Sequence, residues 1–144
     1  MNIKLVDLKR QFDPIKKDIY EEFDKIFDNA SFIMGENVKK FEEEFSSYIG
    51  VKHSISVGNG TDALVIALKS LGIKEGDEVI TTPYTFFATC ESISRVGATP
   101  VFVDVSLESY NIDVTKIEEK ITPKTKAILP VHIFVRFYQV LPKP

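Results

Sequence analysis

Residues 53–105 read HSISVGNGTDALVIALKSLGIKEGDEVITTPYTFFATCESISRVGATPVFVDV, and the fold class follows from the way this stretch alternates. Residues 53–57 (HSISV) read as a short strand, followed by Gly58-Asn59-Gly60-Thr61-Asp62. A helix is expected from about Ala63 to Leu71, stopped at Gly72. Glu78 to Thr82 is the next strand, halted by Pro83. Phe86 to Val96 reads as helical and ends at Gly97, and Pro100 to Val105 is a third strand. Farther on, Asp113 is placed to cap a helix to about Ile121. Lys126 to Phe134 holds a fourth strand, with Pro130 awkward for a central position. Strand–helix–strand alternation means a parallel sheet with crossover helices. Ligands of such sheets sit beyond the carboxyl ends of the strands.

Upstream the pattern differs. Asp13-Pro14 reads as an N-cap followed by proline at the first helical position. Ile15, Ile19, Phe23, Ile26 and Phe27 then recur at helical spacing. Val38, Phe41, Phe45, Tyr48 and Ile49 mark a second helix, which Gly50 is placed to end. Ser31 to Asn37 (SFIMGEN) reads as a loop between them. The pattern thus divides the chain into a helical arm, 1–50, and an alternating β/α part, 51–134.

Composition sets wider bounds. The 144 residues carry 18 Lys+Arg and 21 Asp+Glu, a net charge of −3, and 44% are hydrophobic. Those values describe a globular domain, not a disordered or collagen-like chain. Charge is spread along the sequence with no basic stripe, so nucleic acid is not an expected partner. The single cysteine, Cys90, cannot form an internal disulfide or a cysteine-based zinc site, and no metal site is assigned. The start, MNIKLVDLKRQ, has charges where a signal peptide needs an apolar core. No apolar run approaches the ~20 residues that span a membrane. The cytoplasm is the default location.

The loops at the carboxyl edge carry the chemistry. Gly58 and Gly60 let the backbone approach a ligand, and the next helix begins at Thr61 and Asp62. Free N–H groups and the positive helix end favour a phosphate there. The plainer alternative is a tight turn with Thr61 or Asp62 as N-cap. Gly58, Gly60 and Ala63 also fit the G-x-G-x-x-A dinucleotide fingerprint. That fingerprint needs an acid near the end of the next strand, where this chain has Ile80-Thr81-Thr82-Pro83. A nucleotide-binding α/β domain is therefore the weaker alternative. Tyr84, Phe86 and Phe87 cluster past the second strand; one of them stacks on a planar ring, or all three plug the gap between helix and sheet. Asp104 and His132 end later strands, and a lone histidine such as His132 is more often a hydrogen-bonded core residue than a ligand. A phosphate cradle followed by an aromatic shelf suits a flat, phosphorylated cofactor, and pyridoxal 5'-phosphate meets that description.

The chain resembles the amino-terminal part of the pyridoxal-phosphate sugar aminotransferases, the DegT/DnrJ/EryC1/StrS family. The matching segments are VDLKRQF, FIMGENVKKFEEEF, YIGVKHSISVGNGTDALVIAL, GDEVITTPYTFFATCESISRVGATPVFVDV, YNID and ITPKTKAILPVHIF. The resemblance implies a fold-type-I transferase large domain, here an incomplete three-layer α/β/α with a mostly parallel sheet. It implies a homodimer that moves an amino group from glutamate to a keto sugar attached to a nucleotide, in polysaccharide biosynthesis. It places Gly60, Thr61, Asp62 and Ala63 at the cofactor phosphate, Phe86 on the pyridine ring and Thr89 in the same pocket. The loop from Phe32 to Glu36 matches a region close to the sugar.

The family also needs a Schiff-base lysine and an acid beside the ring nitrogen. In relatives both follow later strands, and none of the lysines here is assigned that role. The last ten residues, VRFYQVLPKP (135–144), break the family pattern and read like out-of-frame coding. The expectation is a truncated, inactive piece with unpaired sheet edges and a tendency to aggregate. The alternative is a non-catalytic protein that binds a full-length relative.

Overall fold

The computed structural model of the chain describes residues 5–134, so the tail expected at 135–144 lies outside the described residues. The chain divides into two compact units between Ser56 and Val57.

The first unit is helical: α1 (Leu8–Phe12), a 3₁₀ turn (Asp13–Ile15), α2 (Lys16–Asp28) and α3 (Glu36–Ile49). The short α1 was not legible in the sequence. Asp7 caps it, accepting from the Arg10 amide at 3.2 Å. Asp13, expected as an N-cap, instead closes α1 and pairs with Lys9. A carboxylate four residues after a lysine finds that partner one helical turn away. The α3 helix ends at Gly50 as its sequence implies, with a left-handed φ of 76°.

α2 ends in a Schellman motif. Ala30 N donates to Phe27 O at 3.2 Å and Ser31 N to Ile26 O at 3.0 Å. This places Ala30 at φ 50°, where a Cβ is strained. Ala30→Gly is therefore expected to stabilise the unit by about 1 kcal/mol, read as a higher urea midpoint with an unchanged slope.

The second unit opens with α4 (Gly60–Ser70), followed by β1 (Glu78–Thr81), α5 (Ala88–Arg95), β2 (Thr99–Phe102) and β3 (Thr125–Leu129). The three strands form one parallel sheet in the order β2-β1-β3. Pro100 lies in an edge strand, where a missing donor is tolerated. Pro130 falls just past the end of β3, so no ladder bond is required of it.

Side chains alternate across β1. Val79 packs with Leu68, Ile73, Ile93, Val96 and Ala98 beneath α4 and α5. Ile80 packs on the other face with Val103, Ile112 and Ile117. That face is covered by two 3₁₀ turns, Val114–Lys116 and Glu118–Lys120, where an α-helix was expected. Asp113 does cap the first turn, accepting from the Thr115 amide and hydroxyl at 3.1 and 2.6 Å. The Thr115 hydroxyl first, and Lys116 after it, hold the Asp113 carboxyl below its usual range. The cap is thus complete above the ordinary carboxylate range and is lost as pH falls through the lowered value.

Residues 53–57, expected as a strand, form no ladder. Their alternation matches a half-buried strand, but no neighbouring strand pairs with them among the described residues, and Ile55 is 79% exposed.

Gly97 ends α5 at φ 82°, and a Cβ there would lie 3.2 Å from the Glu75 backbone. Both the backbone angle and the close approach require glycine. Gly97→Ala is expected to cost about 1–3 kcal/mol, measured as a lowered denaturation midpoint.

Candidate functional site

α4 and α5 lie side by side. Gly97, just past α5, touches Glu75, just past α4, so the two helices run parallel. α5 follows the carboxyl end of β1. The N-termini of both helices therefore meet the sheet at its carboxyl edge, where the sequence placed the chemistry.

At the start of α4 the cap is Asn59, not Thr61 or Asp62. Asn59 Oδ1 accepts from the Asp62 amide at 3.0 Å, and its Nδ2 donates to Asp62 Oδ2 at 2.9 Å. The two side chains close on each other; the Asp62 carboxylate accepts from the Asn59 side-chain amide and not, as in a capping box, from the N-cap backbone N–H. Asparagine ranks among the best caps, so its position before Gly60 was the available signal. The amide of Ala63 is spent on Asn59 O at 3.0 Å. Among the described residues, nothing accepts from the amides of Gly60 and Thr61. A Cβ built on Gly60 would meet nothing within 4 Å. The cradle is thus two free N–H groups at a positive helix end, opening onto clear space. Of the four residues expected there, Gly60 and Thr61 present free amides; those of Asp62 and Ala63 are occupied.

The β1–α5 turn carries the aromatics. They do not plug the gap between helix and sheet: Phe86 is 79% exposed and Phe87 73%. The gap is already filled by Ile93, Val96 and Leu68. Phe86 O accepts from Thr89 N at 3.1 Å, which fixes the Phe86 backbone at the start of α5. Thr89 is buried, and its hydroxyl lies 2.9 Å from that of Thr85. It braces the turn from inside. Thr81 and Thr82 beneath are fully buried and satisfied, by Leu129 O at 2.8 Å and by the Tyr84 amide at 3.2 Å.

Sequence reading missed a ring cluster at the same edge. Tyr84, Tyr110 and Phe134 come from three successive loops, with centroids 5.5–6.4 Å apart. His132 lines a cavity of about 670 Å³ with Ile117, Ile121, Ile128 and Pro130. In the first unit, Phe32, Gly35 and Glu36 border a cavity of about 310 Å³ with Lys25, Asn37 and Lys40. Gly35 is required there, because a Cβ would sit 2.8 Å from Ser31 O.

No described lysine stands at this edge of the second unit. Lys69 is in the last turn of α4. Lys124 O accepts from the Glu78 amide at the amino end of β1, and Lys126 is the second residue of β3. Lys116 is paired with Asp113 at 3.3 Å, and Lys120 belongs to the turns of the other face.

Residues 13–140 match the DegT/DnrJ/EryC1/StrS aminotransferase family. The chain is 47% identical over 134 residues to a pleiotropic regulatory protein of Geobacillus stearothermophilus, covering 93% of this chain and 36% of that protein. It is 47% identical over 132 residues to UDP-N-acetyl-3-dehydro-alpha-D-glucosamine 3-aminotransferase of Acidithiobacillus ferrooxidans, covering 92% and 36%. Among solved structures, NtdA of Bacillus subtilis with bound cofactor PMP superposes with a TM-score of 0.90 at 33% identity, over 96% of this chain and 32% of that one. The chain spans about a third of the length of these relatives.

Proposed function

Because the chain belongs to the DegT/DnrJ/EryC1/StrS aminotransferase family, we propose that its second unit forms the phosphate-and-ring portion of a pyridoxal 5'-phosphate site. The reaction served is transfer of an amino group from glutamate to a keto sugar carried on a nucleotide. The working form is a homodimer in the cytoplasm. The observation that carries this reading is the pair of free amides at Gly60 and Thr61, at the same sheet edge as the exposed ring of Phe86.

The residues fit the group. A phosphate dianion is held by N–H donors at a helix N-terminus. The Thr61 hydroxyl adds a third donor beside them. The face of Phe86 supports the flat ring by stacking. Asn59 and Asp62 keep the first turn of α4 wound, so the donors are aimed before a ligand arrives. When bound, the cofactor supplies an electron sink for the carbon that exchanges its amino group. The Phe32–Glu36 loop is proposed to face the sugar.

Chemistry at that ring also needs a lysine and a ring-nitrogen acid, and none is assigned among the described residues. We infer that this stretch binds and orients, and that it does not transfer an amino group by itself.

An absorbance titration with pyridoxal 5'-phosphate, then borohydride reduction and peptide mapping, tests this. The expected result is saturable binding with only scattered lysine labelling. Phe86→Ala should weaken binding about 3- to 10-fold. Unchanged affinity in both Phe86→Ala and Thr61→Ala would reject the site. Trapping on one defined lysine would reject the statement that this stretch does not react alone.

A further inference from the structure

Phe86 and Phe87 are mostly exposed, so their own rings do not anchor the turn that carries them. Something else must fix Tyr84–Phe87 if Phe86 is to present a defined face. The helix end is tied by Thr89, whose amide donates to Phe86 O at 3.1 Å and whose hydroxyl lies 2.9 Å from that of Thr85, and by the Glu91 amide on Phe87 O at 3.0 Å. The other end is Tyr84, whose ring lies 5.8 Å from Tyr110 and 6.4 Å from Phe134. Tyr110 and Phe134 meet edge to face at 5.5 Å.

Tyr110 has φ 57°. A bulky side chain rarely adopts that conformation, and it persists only where the surroundings impose it. Here they do. Tyr110 N donates to Ser106 O at 2.8 Å, and Ser106 N to Asn111 O at 2.9 Å. Val105 and Ile112 bridge across the base of the loop, and Ile112 is buried against Ile80. The loop is thereby fastened to the core, and the left-handed residue at its end aims its ring at Tyr84. The three ring centroids lie within 5.5–6.4 Å of one another in every pair, the spacing at which aromatic rings attract each other. Together the rings form a clasp.

We propose that Tyr110 is a positioning residue: through Tyr84 it fixes the turn that presents Phe86. The clasp itself is independent of the ligand. Its consequence for cofactor binding rests on the reading of Phe86 given above.

Hydrogen exchange on the unliganded chain tests the clasp. Tyr110→Gly deletes the ring and relieves the left-handed strain, so any loosening it causes comes from loss of the ring and not from the backbone. The expected result is exchange of the Tyr84 and Thr85 amides that is about tenfold faster, with the Val79–Thr81 amides unchanged. Tyr110→Phe keeps the ring and should restore the wild-type pattern. Tyr84→Ala should reproduce the effect, and the double variant should add nothing further. Unchanged exchange in Tyr110→Gly would overturn the proposal. So would equal loosening of β1, which would mean a general loss of stability, or failure of Tyr110→Phe to rescue. A separate titration of Phe86→Ala with pyridoxal 5'-phosphate reports on the cofactor site. If it shows no effect while the exchange result holds, the cofactor reading fails and the clasp stands.

Discussion

Gly60→Pro is expected to leave α4 folded and to remove most of its affinity for phosphate. Gly60 is the first residue of the helix, where proline is well tolerated because the N–H there has no helical acceptor. Asn59 before it is extended, at φ −167° and ψ 176°, so a small shift brings it into the β region that a following proline favours. No described group accepts from the Gly60 amide, so no internal hydrogen bond is broken. What is lost is a donor to an anion, and the proline ring intrudes into the space in front of it. A hydrogen bond to a charged group contributes about 1.5–3 kcal/mol, so affinity should fall roughly 10- to 150-fold. The check is paired: thermal unfolding by circular dichroism, expected unchanged, and titration with pyridoxal 5'-phosphate, expected to weaken. A variant that melts early and binds normally would place the phosphate elsewhere.

Ile93→Ala should have the largest effect on stability. Ile93 is completely buried, on the face of α5 that meets Val79 and Leu68. Removing most of such a side chain loses its transfer free energy and leaves a cavity, together about 2–5 kcal/mol. Domains of this size are stable by only ~5–15 kcal/mol, so the variant should be markedly less stable or unfolded. Phe87→Ser removes a larger side chain, but from a 73% exposed position. It should change stability by no more than about 0.5 kcal/mol. Urea unfolding of both variants separates buried volume from mere size.

Much of this was legible in the sequence, and the exceptions share a cause. β1 and β2, and the stops at Gly50 and Gly97, are local signals, and they appear within a residue or a few of where they read. Residues 53–57 carry a strand pattern, but a strand exists only through its neighbour, and alternation does not name one. The segment after Asp113 has a good cap and a helical pattern. Ile112 just before the cap and Ile117 within the segment are drawn instead onto the Ile80 face, and packing overrides a short helix. At the site, the glycine loop and Phe86 were visible as residue types in order. Which amides would be free was not visible, because that depends on Asn59 taking the cap. The ring clasp was invisible for a similar reason. Tyr84, Tyr110 and Phe134 lie far apart along the chain and meet only because β1, β2 and β3 end at one edge.

The strand order also sets a timetable. β1 is made first yet sits in the middle, and the Thr81–Leu129 contact that joins it to β3 spans 48 residues. At a synthesis rate of ~5–20 residues per second, that span takes about 2–10 s to emerge. β2, about 21 residues behind β1 in register, arrives in roughly half that time or less. For the remainder, one flank of β1 is a bare ladder of N–H and C=O groups. During that interval the nascent chain is open to pairing with a neighbour's strand, and a chaperone that shields extended segments would act on it then.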